Sequence, residues 1–427
     1  MISTIFGAFR IKDIRNKILF TFALLALYRL GSYIPAPGVN TAALQQIQQT
    51  TSGSGVIGLL NTFSGGGLGR IALFGLGIVP YITASIILQV LTVAIPSLEK
   101  LSKEGEVGQQ RIIQYTRYLT VGLAFAQSIG YVFLFKSLQS SAGSAPLIEN
   151  FNIGKLFLIA ITLTSGTVLL MWMGELITQR GIGNGISLMI FASIVSRIPG
   201  GLQSWWDNPS QVFKVMMPFI AFGVVAAIVF VQTGERRIPI QYAKRVIGQR
   251  MSGGQQTYLP LKVNMAGVIP VIFAATVAAL PPTVGQLLGQ NRKGFATNLS
   301  TFLSPGGWHY IVFECVLIIV FTYFYTAIMF NPVDYADGLR KNSGFIPGVR
   351  PGRPTAEFLD RILARLTFPG ALFLALIAAL PAILIARTGA SFAFGGTSIL
   401  IVIGVALDTM RQLEAQLKMR NYEGFLK

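Results

Sequence analysis

The feature that most constrains this chain is a series of apolar windows, each about 20 residues long. A helix of that length matches the hydrocarbon core of a bilayer, which is about 30 Å thick. About ten windows can be read, at 18–35, 72–94, 117–136, 155–173, 184–201, 214–232, 264–288, 309–330, 368–387 and 393–412. Only 12% of the residues are charged, whereas about 25% is usual for a soluble domain. The sequence therefore predicts an all-α polytopic membrane protein.

The basic residues, which give a net charge of +18, are distributed unevenly between the two sides of the predicted spans. If every window crosses, the side of the N-terminus holds 25 of the 34 Lys and Arg residues. Eight fall on the other side, and Arg29 lies within the first span. Because cytoplasmic loops are enriched in Lys and Arg, both termini are predicted to be cytoplasmic. Topology then explains the charge, and nucleic-acid binding is not required.

A short apolar motif that contains a proline occurs twice, at 75–86 (GLGIVPYITASI, repeat motif 1) and at 265–276 (MAGVIPVIFAAT, repeat motif 2). Aligned on Pro80 and Pro270, the motifs share Gly-x-x-Pro-x-Ile-x-Ala at an offset of 190 residues. They fall in the second and seventh windows, and an odd separation of five spans inverts the orientation. We expect each proline to disturb the helix turn behind it. Chance similarity is the alternative, because Gly and Pro are frequent in membrane helices.

The repeat predicts two inverted five-helix halves, 1–201 and 202–427, around a central pore. A pathway at the interface of such halves lies near the middle of the membrane. Ile82 and Ile272, which the repeat relates, would face each other across that interface. Packing or lipid-facing isoleucines are the alternative.

A shorter apolar segment, Val56 to Phe63, lies ahead of the second window. As a helix it would be about 12 Å long, which is too short to cross a membrane. Three consecutive glycines, 65–67, follow it and are expected to act as a flexible hinge. The sequence predicts a small apolar helix that enters the membrane from the outer side as a movable stopper. An ordinary amphipathic turn on the surface is the alternative.

The predicted spans carry few groups that could bind a polar solute or catalyse a reaction. The acidic residues Glu175, Glu314 and Asp408 lie near span ends, whereas ion sites and proton relays need charged groups within the membrane. One Cys and one His leave no basis for a metal centre, and no cofactor is predicted. Aliphatic side chains suit a hydrophobic constriction that closes by dewetting. A secondary transporter with inverted repeats is the second candidate, and an intramembrane enzyme is a distant third.

Two long basic loops, about 233–263 and 331–367, lie on the predicted cytoplasmic side. The stretch RRIPIQYAKR at 236–245 alternates in a way that is typical of a strand or hairpin. Three prolines around Arg350 stiffen the tip of the second loop. Both loops are predicted to dock RNA phosphates or an acidic protein surface. Charge that serves only to orient the chain is the alternative.

Five longer motifs resemble the SecY family, whose members form the central subunit of the Sec protein-translocation channel. The motifs are FSGGGLGRIALFGLGIVPYITASIILQ at 63–89, GELITQRGIGNGISLMIF at 174–191, YAKR at 242–245, LPLKVNMAGVIP at 259–270 and GFIPGVRPGRPT at 344–355. The likeness extends essentially from end to end. It implies a channel rather than an enzyme, located in a bacterial-type cytoplasmic membrane. Such a channel carries unfolded secretory polypeptides outward and releases hydrophobic segments sideways into the lipid.

The resemblance also implies roles for individual residues. The pore ring would consist of aliphatic side chains from several spans, namely Ile78, Ile82, Ile186, Ile190, Ile272 and Ile401. The plug, about 56–70, would include Val56, Ile57, Leu59, Leu60, Asn61, Phe63, Gly65, Gly66, Gly67 and Arg70. A lateral gate between the second-to-third and seventh-to-eighth spans would carry Thr83, Gln127 and Asn264. Partner docking would use Arg236, Arg237, Lys244, Arg245, Arg250 and Arg350.

The implied partners fall into three groups. Small membrane subunits of the SecE and SecG type would accompany the chain in the lipid bilayer. A SecA-type ATPase motor or the ribosome, including its rRNA, would dock on the cytoplasmic side. Translocating polypeptides and their signal sequences would pass through the channel. A partner must supply the energy, because the sequence has no GxxxxGK[ST] phosphate-binding motif.

Overall fold

The fold is described from a computed structural model. The described residues are 11–40, 64–142, 148, 151–207, 211–242, 245–247, 250–252, 256–287, 302–303, 307–388 and 396–425. The helices up to residue 207 are α1 (Lys12–Gly31), α2 (Val79–Ala94), α3 (Pro96–Lys103), α4 (Glu106–Ala142), α5 (Ile153–Arg180), α6 (Gly185–Val195) and α7 (Ile198–Trp206), with a 3-10 turn at Leu68–Arg70. Those that follow are α8 (Gln211–Thr233), α9 (Ile269–Leu287), α10 (Trp308–Met329), α11 (Pro332–Lys341), α12 (Arg353–Thr388) and α13 (Gly396–Phe425).

Each of the ten predicted windows overlaps one of these helices, and the fifth covers both α6 and α7. Within the described ranges, six helical stretches are long and apolar enough to cross a bilayer. The number becomes seven if α2 and α3, which meet at 101°, form one bent span. A helical, polytopic membrane protein is therefore confirmed, while the count of ten crossings stays a prediction.

The helices pack into two groups, and the groups contact each other at two places. In the first group α4 packs against α2 and α5, and in the second α10 packs against α9 and α12. The groups meet where α9 contacts α2 and α4, and again where α13 contacts α6. One hydrophobic cluster is built from side chains of both groups. We call it the central cluster.

The loop between α8 and α9 forms strands, which add a small sheet to an otherwise helical chain. Strands β1 (Glu235–Tyr242) and β4 (Gln256–Lys262) pair antiparallel, which confirms the strand predicted at 236–245. Between them β2 (Arg245–Ile247) and β3 (Arg250–Ser252) pair as a second hairpin. Strand β5 (Gly344–Phe345) joins the other edge of β1, so the two long loops share one sheet.

The sheet is fixed to α12 by a hydrophobic cluster of its own. Ile238 of β1 and Leu261 of β4 are buried in this cluster together with Leu359 and Ile362 of α12. Along β1 the buried Ile238 and Ile240 alternate with the exposed Pro239, and Arg236 and Arg237 are both exposed near the start of the strand. The two basic loops are thus held as one unit beside the helices.

Candidate functional site

Both repeat motifs start a helix immediately before their proline. Gly77 and Gly267 adopt left-handed backbone conformations, with φ of 61° and 64°, which glycine tolerates at no steric cost. Helices α2 and α9 then begin at Val79 and Ile269. The prolines therefore occupy the first helical turn, where a missing N–H costs no hydrogen bond. The prediction that they disturb a helix turn is wrong, because the preceding residues are not helical.

The six isoleucines predicted for the pore ring come together in the central cluster. Ile78, Ile82, Ile190, Ile272 and Ile401 are buried there, and the half-buried Ile186 packs against them. They come from α2 and the residue before it, α6, α9 and α13, and so from both helix groups. Among the charged residues whose side chains are described, none is fully buried by accessible surface. We call these six residues the isoleucine ring.

Aromatic side chains in the central cluster were missed by the sequence analysis. Tyr28 and Phe74 lie with their ring centroids 6.0 Å apart, and Phe273 contacts Tyr325 edge-on at the same distance. The Tyr28 hydroxyl is hydrogen-bonded to Ser193 of α6, which joins α1 to α6. A single aromatic residue within an apolar helix gives no periodic signal by which it could have been found.

The predicted plug lies only partly within the described residues. Val56, Ile57, Leu59, Leu60, Asn61 and Phe63 lie outside them. Residues 64–70, which we call the hinge turn, are described. Gly65 and Gly66 have positive φ angles of 63° and 90°.

Hydrogen bonds fold the hinge turn, which was expected to be a flexible hinge. Ser64 accepts a hydrogen bond from the Leu68 N–H through its side chain, and its carbonyl accepts one from the Gly67 N–H. The Ala72 N–H donates to the Gly67 carbonyl, and Pro35 and Ala72 form an isolated β-bridge. The glycines thus provide the positive φ angles of a folded turn.

The predicted lateral-gate residues lie on or beside the helices where the two groups meet. The Thr83 hydroxyl donates 3.0 Å to the Val79 carbonyl within α2, and Gln127 is half-buried on α4. Asn264 precedes α9, is buried, and donates 2.9 Å from Nδ2 to the Gly267 carbonyl. Its Oδ1 is buried without a hydrogen-bond partner among the described residues. Polar groups therefore occur on both sides of this junction.

The described docking residues lie on strands β1, β2 and β3 and in the loop after β5. Arg236 and Arg237 are exposed on β1, and Arg237 pairs with Glu235 at 2.7 Å. Arg350 is exposed after β5, in a loop whose glycines 348 and 352 have φ angles of 84° and 97°. Lys244 lies outside the described residues, and only the backbone of Arg245 and Arg250 is described, in β2 and β3.

Comparison with known proteins agrees with this arrangement. The SecY family model matches residues 72–410. The protein translocase subunit SecY of Streptomyces galbus is 48% identical over 449 residues, and that of Corynebacterium glutamicum is 47% identical over 440. Both alignments cover 100% of this chain and 100% of the relative.

Solved structures of protein-conducting channels have the same fold. One is described as a protein-conducting channel, with a TM-score of 0.65 and 20% identity over 93% of this chain and 91% of that chain. Another is Sec61 in a canine ribosome–channel complex, with a TM-score of 0.61 and 19% identity over the same shares. The structures support the fold, and the sequence relatives and the family model decide the family. The chain belongs to the SecY family of protein translocase subunits.

Proposed function

We propose that the isoleucine ring is the constriction of a protein-conducting channel that carries unfolded secretory polypeptides across the membrane. The observation that carries this proposal is the convergence of the six isoleucines from both helix groups in one central cluster. As a member of a translocase-subunit family, the chain acts as a channel and not as an enzyme.

The chemistry of isoleucine suits a seal around a moving chain. Its branched side chain is stiff about χ1 and offers no hydrogen bond, so the ring would close around any sequence without binding it. A narrow apolar neck excludes water, and small ions then meet a dewetted barrier. The plug, about 56–70, would add a second seal on the outer side of the ring.

Hydrophobic segments would leave sideways between α9 and the pair α2 and α4. These helices belong to different groups and touch along one line. At the centre of a membrane helix each Leu or Ile gains about 0.3–0.6 kcal/mol, and each Asp, Lys or Arg loses about 2.5–3.5 kcal/mol. The sum of these free energies over all residues of a segment decides whether the segment is released into the lipid or passes through the channel. Thr83, Gln127 and Asn264 would line the opening and ease the passage of polar groups.

The same proposal covers topology and partners. Residues 1–201 and 202–427 would form two inverted halves of five spans each, with both termini in the cytoplasm of a bacterium. The basic residues on the shared sheet would dock a SecA-type motor or the ribosome with its rRNA, since they are exposed together. Small subunits of the SecE and SecG type would cover exposed apolar faces such as that of α8, where Phe222 and Phe230 are exposed.

A disulfide-trapping experiment tests the channel. In a Cys315→Ala background, single variants Ile82→Cys, Ile190→Cys and Ile272→Cys would each meet a secretory chain that is stalled midway and carries one cysteine. Ile161→Cys is the control, because Ile161 is 57% exposed on α5. We expect disulfides at the three ring positions and none at the control. Absence of trapping, together with protection of the same cysteines by a small solute, would favour a transporter instead.

A further inference from the structure

An arginine within the first span reaches across to the hinge turn. Arg29 lies in the last turn of α1. Its Nη1 donates 2.7 Å to the Gly65 carbonyl, and its Nη2 donates 2.8 Å to the Tyr33 hydroxyl. One guanidinium group thus bridges the end of α1 and the hinge turn, which is the C-terminal part of the predicted plug. Hydrogen bonds from a charged donor are roughly twice as strong as neutral ones.

A second arginine, from the hinge turn itself, lies on the same aromatic ring. The guanidinium carbon of Arg70 is 4.2 Å from the Tyr33 ring centroid, and that of Arg29 is 4.7 Å from it. Each contact lies within the range of a cation–π interaction. Neither arginine forms an ion pair in the described part of the chain. The two like charges repel each other, and Nη1 of Arg70 is buried without a hydrogen-bond partner there.

The turn fits closely against two helices. A Cβ atom on Gly65 would lie 3.3 Å from Ser193 Cα, 3.3 Å from the Tyr28 hydroxyl and 3.4 Å from Arg29 Nη1. Since Tyr28 and Ser193 join α1 to α6, the hinge turn is seated where these helices are already fixed. The Gly65 carbonyl that accepts the hydrogen bond from Arg29 is therefore held in place by the close packing of the turn on α1 and α6.

We infer that Arg29, Tyr33 and Arg70 form a latch that holds the hinge turn against the first span. The latch keeps the channel closed because the hinge turn must break these contacts before it can move away from α1 and α6. This role of the latch rests on the proposed role of residues 56–70 as a plug. The hydrogen bond from Arg29 to the Gly65 carbonyl and the cation–π contact of Arg70 with Tyr33 hold the turn against α1, while the contacts between Arg29 and Tyr33 fix these two partners relative to each other. The repulsion between the two arginines and the unpaired Nη1 limit the strength of these contacts, so the turn can still be released.

The test is the passive chloride leak of the assembled translocase in lipid vesicles that contain a chloride-sensitive dye. Arg29→Met removes both hydrogen bonds, and we expect the leak to rise about tenfold, as loss of a charged hydrogen bond implies. Arg29→Lys keeps the charge but cannot reach both acceptors as a planar fork does, and its leak should be intermediate. Arg180→Met is the matched control, because Arg180 is exposed in the last turn of α5. Its leak should equal that of the parent.

A second variant keeps the test decisive if Arg29→Met fails to fold. Tyr33 is 53% exposed, so Tyr33→Leu removes the ring and hydroxyl without opening a core cavity. Its leak should rise several-fold, and that of Tyr33→Phe, which keeps the ring, should rise less. A leak equal to the parent's in the folded Arg29→Met or Tyr33→Leu protein would overturn the latch.

The trapping experiment separates a failed latch from a failed channel. If ring cysteines trap the secretory chain while the latch variants leak like the parent, the latch is wrong and the channel stands. If the ring cysteines trap no secretory chain in a protein whose latch residues are unchanged, the channel proposal fails and the latch fails with it. Trapping in the parent together with a raised leak in Arg29→Met supports both.

Discussion

The two repeat motifs share more than their sequence, because the same contact precedes each of them. Four residues before the left-handed glycine, a backbone carbonyl packs on a glycine of a later helix. A Cβ atom on Gly166 of α5 would lie 1.9 Å from the Leu73 carbonyl oxygen, and one on Gly370 of α12 would lie 2.7 Å from that of Val263. Helices α5 and α12 overlap the fourth and ninth predicted spans, which are five spans apart, as the motifs are. The repeat therefore extends from the motif to its packing.

The residues three before each glycine differ. In motif 1 this residue is Phe74, which is buried with its ring against Gly31 of α1. In motif 2 it is Asn264, whose side chain binds the Gly267 carbonyl. The segments that lead into the motifs differ too, since the hinge turn precedes one and strand β4 the other. The helix starts and their packing are thus alike, while the preceding segment is the hinge turn before motif 1 and strand β4 before motif 2.

The largest effect should come from replacing Phe74, one of the two unlike residues. Phe74→Ala removes a buried aromatic side chain from the central cluster, and we expect a loss of about 3–5 kcal/mol of stability. Asn264→Ala removes one hydrogen bond and should cost about 1 kcal/mol. The thermal midpoints of the purified proteins in detergent would measure the difference. Equal losses would mean that the two segments are held in the same way after all.

A smaller effect is expected where the motifs are alike. In Gly166→Ala and Gly370→Ala the new methyl group meets a backbone carbonyl that cannot rotate away. Overpacking of this kind costs about 1–3 kcal/mol, with the greater loss at Gly166 because its approach is closer. Gly122→Ala on α4 is the control, since a Cβ there meets nothing within 4 Å. A greater loss at Gly370 than at Gly166 would contradict the packing comparison.

These contacts also show which parts of the structure a sequence can reveal. Hydropathy is a local property, so each predicted window coincides with a helix. The starts of α2 and α9 were placed several residues too early, because their lead-in residues are apolar but are held in turns by packing on Gly166 and Gly370. Such packing depends on residues about a hundred positions away in the sequence, and a local hydropathy pattern cannot predict it.

The candidate site divides in a similar way. The repeat alone pointed to Ile82 and Ile272. The other four members of the isoleucine ring could be named only through the resemblance to a family, since isoleucine is common in apolar helices. The contact between Arg29 and the Gly65 carbonyl joins residues 36 positions apart. The sequence indicated an arginine within a span, where such residues are costly and have partners. It could not name a backbone carbonyl as the partner.

A third comparison concerns the left-handed glycines themselves. Gly77→Ala and Gly267→Ala should each lose about 1–2 kcal/mol, because a Cβ atom in this conformation approaches the following carbonyl. At Gly267 the loss would be pure backbone strain, since a Cβ there meets nothing within 4 Å. Thermal midpoints would check this, and the Gly122→Ala control should show no loss. A neutral Gly267→Ala variant would refute the shared helix start.

The smallest effects are expected where the two helix groups hold a pair of neighbouring helices together by different means. Arg117 of α4 pairs with Glu175 of α5 through two hydrogen bonds of 2.9 and 2.6 Å. Between α10 and α12, a packed pair in the second helix group, Cys315 makes a 3.5 Å contact from Sγ to the Ala375 carbonyl. Glu175→Gln should cost about 1 kcal/mol, the upper end for partly exposed pairs. Cys315→Ala should cost less, because a thiol is a weak donor.

Salt separates these two contacts. Screening weakens an exposed ion pair, so the difference between the parent and Glu175→Gln should shrink between low and high ionic strength. The difference for Cys315→Ala should not change. Thermal midpoints at two salt concentrations measure both, with Arg180→Met as the control for loss of an exposed charge that forms no pair in the described part of the chain. If Cys315→Ala proved the costlier change, the packing of α10 on α12 would depend on that thiol. The trapping experiments would then need Cys315→Ser as their background.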